Sequence, residues 1–188
     1  MRVSETQRPG AAPRRFGAWN APSVGIIRPA TPQDEAALVE IESETWLPHV
    51  SPAPHRVRAF FEANHPDDVL VAVIDGRVVG YVVVRPATPL SSNAHVLKVA
   101  GLGVRSTTVR QGVAGGLLDA AEERAVARHI ERLTLHVLAI NAPARALYEK
   151  HGYRIEGVLR GEFRLPVGPN GTVIPVDDVL MAKTLAAT

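Results

Sequence analysis

The sequence predicts an α+β domain: a mixed, mostly antiparallel central sheet with helices on both faces. Three observations carry that expectation. Residues 69–74 and 78–85 are β-branched runs joined by Asp75-Gly76-Arg77, and Asp-Gly between such runs is a strong hairpin signal. From Gly112 onward the apolar spacing switches between four and two, so helices alternate with strands. The central strand–helix–strand unit requires a crossover, which makes its two strands parallel neighbours, whereas the earlier strands pair as antiparallel hairpins.

Residues 1–23 contain Pro9-Gly10-Ala11-Ala12-Pro13 and scattered arginines without periodicity, and read as a disordered basic extension. Residues 24–188 read as a single domain, beginning with a short strand at 24–28. Thr31-Pro32-Gln33-Asp34 then starts a helix, with a hydroxyl at the N-cap, proline in the first position and a carboxylate in the third. Ala37, Leu38 and Ile41 give that helix its apolar stripe. Pro48, Pro52 and Pro54 mark an irregular stretch, and residues 56–63 form a second short helix carrying Phe60 and Phe61. The hairpin follows, then a loop at 86–93 and a third long strand at 95–104. Residues 112–128 read as a helix with Val113, Leu117, Ala121 and Ala125 on one face. In the strand at 132–140, Leu133, Leu135 and Val137 alternate with Arg132, Thr134 and His136. A helix at 142–150 starts from Asn141 as N-cap with Pro143 in its first turn, and Gly152 stops it. Strands at 153–163 and 172–183 close the chain across Pro169-Asn170-Gly171.

Composition narrows the function. The 188 residues are 46% apolar and 21% charged, which suits one globular domain. There is no cysteine, which excludes disulfides, thiolate metal sites and cysteine nucleophiles. The seven histidines show no metal-binding spacing, so no metal is expected. Net charge is only +2, and the four arginines of residues 1–23 against Glu5 place +3 of it in the extension. Without a basic stripe on the folded part, and with 5% aromatics, no nucleic-acid partner is expected. No apolar run approaches the roughly 18 residues of a membrane span, and no secretory leader is evident, so a cytoplasmic protein with no membrane partner is expected. A homodimer is admitted.

The chemistry-bearing segment is the third long strand and the helix after it. Gly112, Gly115 and Gly116 crowd a helix N-terminus, where each interior glycine costs about 0.5–1 kcal/mol relative to alanine. A helix N-terminus offers unpaired N–H groups and a partial positive charge, which suits a phosphate; close helix–sheet packing is the equal alternative. The segment lacks both the P-loop pattern and the dinucleotide fingerprint, and no G-x-S-x-G supports a serine hydrolase.

Leu102-x-Val104 followed by Gln111-Gly112-Val113-Ala114 resembles motif A of the GNAT superfamily of N-acetyltransferases. The first position of the [QR]-x-x-G-x-[GA] signature is Val109 here, with Arg110 one place later. Downstream, Leu135-x-Val137, Asn141, Ala144 and Leu147-Tyr148-Glu149-Lys150-x-Gly152-Tyr153 resemble motif B, and Asp177-Asp178-Val179-Leu180-Met181 resembles the family's last strand. The likeness covers about residues 24–184 and implies the GNAT-like acyltransferase fold.

It further implies acetyl-CoA as acyl donor and an amine acceptor as partners. The pyrophosphate would rest on the N–H groups of Gln111, Gly112, Val113, Ala114, Gly115 and Gly116, beside Val109 and Arg110. The pantetheine arm would lie between the strands ending at Val104 and Ile140, against Leu102, Gly103, Val104 and Asn141. Tyr148 is the implied catalytic residue: a phenol titrating near 10 is neutral at pH 7 and can protonate the leaving thiolate. The residue pattern alone leaves open that Tyr148 is only a core ring. The resemblance implies N-acetyl transfer to a small molecule, a protein N-terminus or a lysine; the alternative is a non-catalytic acyl-CoA-binding regulatory domain. No general base stands out. Lys98 is unsuitable while protonated, and His95 and His136 read more readily as structural histidines. Glu40, Glu42 and Glu44 read as a solvated face ahead of an amine-attracting rim.

Overall fold

The computed structural model describes residues 14–16, 25–45, 59–167 and 172–185. Among them eight strands form one sheet in the order β1-β2-β3-β4-β5-β6-β8-β7. They are β1 (Arg14–Phe16), β2 (Gly25–Pro29), β3 (Val69–Ile74), β4 (Arg77–Pro86), β5 (Val96–Val104), β6 (Arg132–Leu138), β7 (Arg154–Val167) and β8 (Thr172–Thr184). The helices are α1 (Glu35–Thr45), α2 (Phe60–Ala63), α3 (Val113–Val126) and α4 (Ala142–Lys150). Every neighbouring pair is antiparallel except β5 and β6, which flank the α3 crossover and run parallel.

The hairpin turn is one residue tighter than predicted. Asp75 and Gly76 both take positive φ (48° and 74°), and Ile74 pairs directly with Arg77. Two consecutive left-handed residues make the turn whose twist matches that of the flanking strands. Ahead of α1, the Asp34 carboxylate accepts from the Thr31 N–H and hydroxyl at 2.8 and 3.0 Å, and from Arg28 at 2.7 and 2.8 Å. The cap is therefore anchored to β2 as well as to its own helix. Order was expected from residue 24, yet Arg14–Phe16 pairs with Gly25–Ile27. Edge-strand pairing uses backbone groups and needs no apolar pattern, so no periodicity announces it. The rest of the predicted extension, the irregular stretch at 48–54, the start of the helix predicted at 56–63 and the Pro169-Asn170-Gly171 turn lie outside the described residues.

Alternation along β4 separates two cores. Val82 and Val84 face Val113, Leu117, Leu118 and Ala121 of α3, together with Leu133 and Leu135 of β6. Tyr81 and Val83 face Leu38 and Ile41 of α1 and Phe60 of α2. Burying each such side chain contributes about 1.5–3 kcal/mol. The predicted stripe of Val113, Leu117, Ala121 and Ala125 is no more than 1% exposed at any position. The helices thus cover both faces of the sheet.

Candidate functional site

The site originates where two parallel strands part. β5 and β6 pair only from Val96↔Arg132 to Val99↔Leu135. Beyond that, β5 stays with β4 through Gly80↔Val104, and β6 stays with β8 through Leu138↔Asp178. The β4–β5 register shifts between Val83 and Val84, leaving Ala100 as the extra residue at the point of divergence. A bulge bends its strand and increases the local twist, which carries β5 away from β6. The gap opens into a cleft of about 680 Å³.

α3 closes one end of the cleft. Gly112 is its N-cap at φ 79°, a conformation L side chains rarely adopt, and the preceding Arg110 is also left-handed at φ 67°. Gly116 N–H donates to Gly112 C=O at 2.9 Å, so the helical ladder starts there and the earlier N–H groups of the first turn have no helical acceptor. The glycine cluster therefore has two causes. Gly112 supplies the positive φ, whereas a Cβ on Gly115 would come 3.1 Å from Nε2 of His151, so Gly115 allows α4 to pack on α3.

Of the residues singled out from the sequence, Leu102, Val104, Val109, Arg110, Gly112, Val113, Ala114, Gly115, Asn141 and Tyr148 line this one cleft. Gly103, Gln111 and Gly116 do not. Gly103 lies on the opposite face of β5, where a Cβ would come 2.7 Å from the Tyr81 ring. The Gln111 side chain donates to Thr107 C=O at 3.3 Å. Asn141 caps α4, its Oδ1 accepting from Ala144 N–H at 3.2 Å.

Tyr148 reaches the cleft from α4 while its ring packs against Tyr153, with centroids 5.9 Å apart. The residue is 8% exposed, and burial pushes its phenol up to about 12. It therefore remains a proton donor far above neutral pH. Burial also pushes the Tyr153 phenol upward, with Glu122 and Tyr148 adding to the shift.

From the sequence His136 reads as a structural histidine, and Asp178 only as part of the last strand. His136 lines the cleft, and its Nδ1 lies 2.6 Å from Oδ2 of the buried Asp178. Strand alternation sets His136 opposite Leu135 and Val137, which was readable in advance. Its carboxylate partner depends on the β6–β8 register, which no local pattern reveals. His95 is exposed at the far end of β5, and Lys98 does not line the cleft. The acidic end of α1 is not a free rim: Glu40 and Glu44 hold Arg105 at 2.6 and 2.8 Å and so tie α1 to the end of β5. Burial, with Glu35 adding to it, pushes the Glu42 carboxyl upward. Among the described residues no cluster of histidine and carboxylate side chains could hold a metal ion, and no helix is long and apolar enough to cross a membrane.

Residues 36–153 match the model of the acetyltransferase (GNAT) family. The chain is 30% identical over 140 residues to the L-amino acid N-acetyltransferase AaaT of Escherichia coli, covering 70% of this chain and 84% of that protein. An N-acetyltransferase structure from Staphylococcus aureus superposes with a TM-score of 0.72 at 17% identity, covering 86% of this chain and 99% of the other. The ribosomal-protein-alanine N-acetyltransferase of Brucella melitensis superposes with a TM-score of 0.65 at 28% identity, covering 85% and 99%. The parted strands, the glycine-capped helix and the cleft tyrosine thus sit in a chain whose match to the family model spans most of its length: it belongs to the GNAT acetyltransferase family and is an acyl-CoA-dependent N-acetyltransferase.

Proposed function

We propose that the cleft binds acetyl-CoA and that the protein transfers its acetyl group to a primary amine, with an α-amine preferred to a lysine side chain. The observation that carries this is the convergence on one cleft of a strand gap, a helix N-terminus with unused N–H groups and the hydroxyl of Tyr148. The residues fit the donor. First-turn N–H groups of α3 at Val113, Ala114 and Gly115 suit the pyrophosphate, with the Arg110 guanidinium at the same end. The edge of β5 beyond Val99, paired with no strand on the side of β6, suits the amides of the pantetheine arm. Acetyl-CoA supplies the thioester carbonyl and the thiolate leaving group.

The chain's own groups do the rest. The backbone N–H groups of Leu102 and Val104 polarise the carbonyl oxygen, and donors fixed in place beforehand are worth most where charge develops. Tyr148 gives its proton to the departing sulfur. Thr45 of α1 and His136 line the cleft beside Ala114 and Tyr148, so the gap passes through the sheet. The donor enters on the α3 side and the acceptor on the α1 side. The preference for an α-amine has two supports. An α-ammonium loses its proton near 7.7–8.0 against about 10.4 for lysine, and AaaT and the Brucella protein are named for an L-amino acid and a ribosomal-protein alanine.

The test is thiol release from acetyl-CoA with L-amino acids, alanyl peptides and Nα-blocked lysine as acceptors. Turnover on one of the α-amine sets with little on blocked lysine is expected. Turnover on blocked lysine alone contradicts the acceptor assignment. Acetyl-CoA binding without turnover on any amine favours a non-catalytic acyl-CoA-binding role.

A further inference from the structure

Resting on the acetyl-transfer reading above, we propose that His136 is the general base of the reaction and that Asp178 is its positioning residue. Three ionisable side chains line the cleft among the described residues: Arg110, His136 and Tyr148. Arginine is a permanent cation. The buried phenol of Tyr148 holds its proton. His136 is therefore the group there that can accept one. The carboxylates at the end of α1 are no substitute: Glu40 and Glu44 are engaged by Arg105, and neither they nor Glu42 line the cleft.

The placement of His136 follows from the strand pairing. Leu135 is the last β6 residue paired with β5, so His136 is the first beyond the split. Alternation turns it away from Leu135 and Val137, which face α3, and toward the side where the acceptor enters. The neighbouring elements place few charges around it. β8 presents Asp178; β5 presents Lys98, opposite Thr134; β7 presents Leu159, opposite Asp178; α4 presents Tyr148 to the same cleft. Farther along β6, Arg132 is ion-paired with Glu156.

Asp178 is 5% exposed and sits 2.6 Å from Nδ1 of His136. A carboxylate can only accept, so Nδ1 carries the hydrogen and Nε2 of the neutral ring keeps its lone pair. Nε2 has no protein partner among the described residues. β6 and β8 are already joined by seven register pairs, from Arg132↔Thr184 to Leu138↔Asp178, so this contact is not needed to hold the strands together. A buried carboxylate is costly without a partner, and its partner here is the imidazole that opens on the cleft.

The proton balance is simple. An acceptor ammonium gives one proton to Nε2, and the freed amine attacks the thioester carbon. The nitrogen–carbon bond forms and the carbon–sulfur bond breaks. The sulfur takes a proton from Tyr148, and the second proton shed by nitrogen restores that phenol through solvent. The imidazolium, held by Asp178, releases its proton to water, so one proton is lost per amide formed.

The experiment has two arms. The first needs no activity: ¹⁵N NMR of the imidazole reads which nitrogen carries the hydrogen. The Nδ1–H form is expected in the wild type and a mixture in Asp178→Asn; an Nε2–H wild type overturns the proposal. The second arm uses an amine that the wild type acetylates. His136→Ala should lower kcat/KM about 10²–10⁴-fold, remove the acid-side limb of its pH profile and recover part of the rate with added imidazole. The acetyl-CoA-induced melting shift should persist, which shows that the variant is folded. Should His136→Ala fail to fold, His136→Gln carries the same expectations. Asp178→Asn should lower kcat with little change in the KM for acetyl-CoA. Turnover within a few-fold of wild type in His136→Ala, with an unchanged pH limb, removes His136 from the chemistry while leaving acetyl transfer intact. A wild type that acetylates no amine overturns the transfer reading itself, and the base with it.

Discussion

One oxygen atom decides whether Tyr148 is an acid or only a core ring. Tyr148→Phe removes it and keeps the ring contact with Tyr153. kcat is expected to fall about 10²–10⁴-fold, with the KM for acetyl-CoA nearly unchanged, because the interaction belongs to the transition state. A kcat within a few-fold of wild type would leave Tyr148 with a packing role alone. The same substitution also reports on the burial of the phenol. The unfolded chain loses this proton near pH 10, whereas burial holds it in the folded state up to about 12. Between those values the folded state binds more protons, so this contribution to stability is present below pH 10 and is lost as pH rises toward 12. Two pKa units correspond to roughly 2–3 kcal/mol. Melting of the Phe variant should therefore depend less steeply on alkaline pH; equal slopes would contradict the burial. Tyr148 stood out in the sequence through the resemblance to motif B, because helix spacing after an Asn cap by itself left it a core ring. His136 was visible as a strand residue of the correct parity, but its carboxylate lies 42 residues later and is brought to it only by strand register.

At the scale of elements, β5 shows how one strand serves two faces. Leu102 and Val104 line the cleft, while Gly103 lies under the Tyr81 ring on the other side. A Cβ at Gly103 would come 2.7 Å from Tyr81 Cε1 and 3.1 Å from Thr45 Oγ1, whereas one at Gly101 would come no closer than 3.4 Å. Tyr81 is 1% exposed and has no room to swing aside. Gly103→Ala is expected to destabilise by about 1–3 kcal/mol, or roughly 2–12 °C in melting temperature for a chain of this size. Gly101→Ala should fall well short of that. Equal melting temperatures for the two variants would contradict the close approach. The glycine pattern of motif A was legible as a place where backbone must come near something, but the several partners were not. Gly112 answers to φ, Gly115 to His151 and Gly103 to Tyr81. Each partner comes from an element distant in sequence, and glycine counts carry no information about it.

On the scale of the whole molecule, the described sheet acts as a partition that opens between β5 and β6. The α3 and α4 side presents Ala114 and Tyr148 to the cleft, and the α1 side presents Thr45 and His136. The class of fold, the parallel central pair and both helix stripes were readable, because period-two and period-four patterns record which face of an element is buried. The divergence of β5 from β6 was implied only by family resemblance. Its physical cause, the shift at Ala100, leaves no mark in an apolar run. The central claim, that this opening holds acetyl-CoA against the N-terminus of α3, is tested most directly by thermal melting of the wild type and of Ala114→Asp with the ligand at about 100 times the wild-type Kd. A carboxylate in the first turn favours the helix, so the variant should fold as well as wild type, yet it opposes the phosphates. The wild type is expected to gain about 2.7 kcal/mol, a rise of several degrees, and Ala114→Asp little or none. An unchanged wild-type melt, or the same rise in both proteins, would contradict the claim.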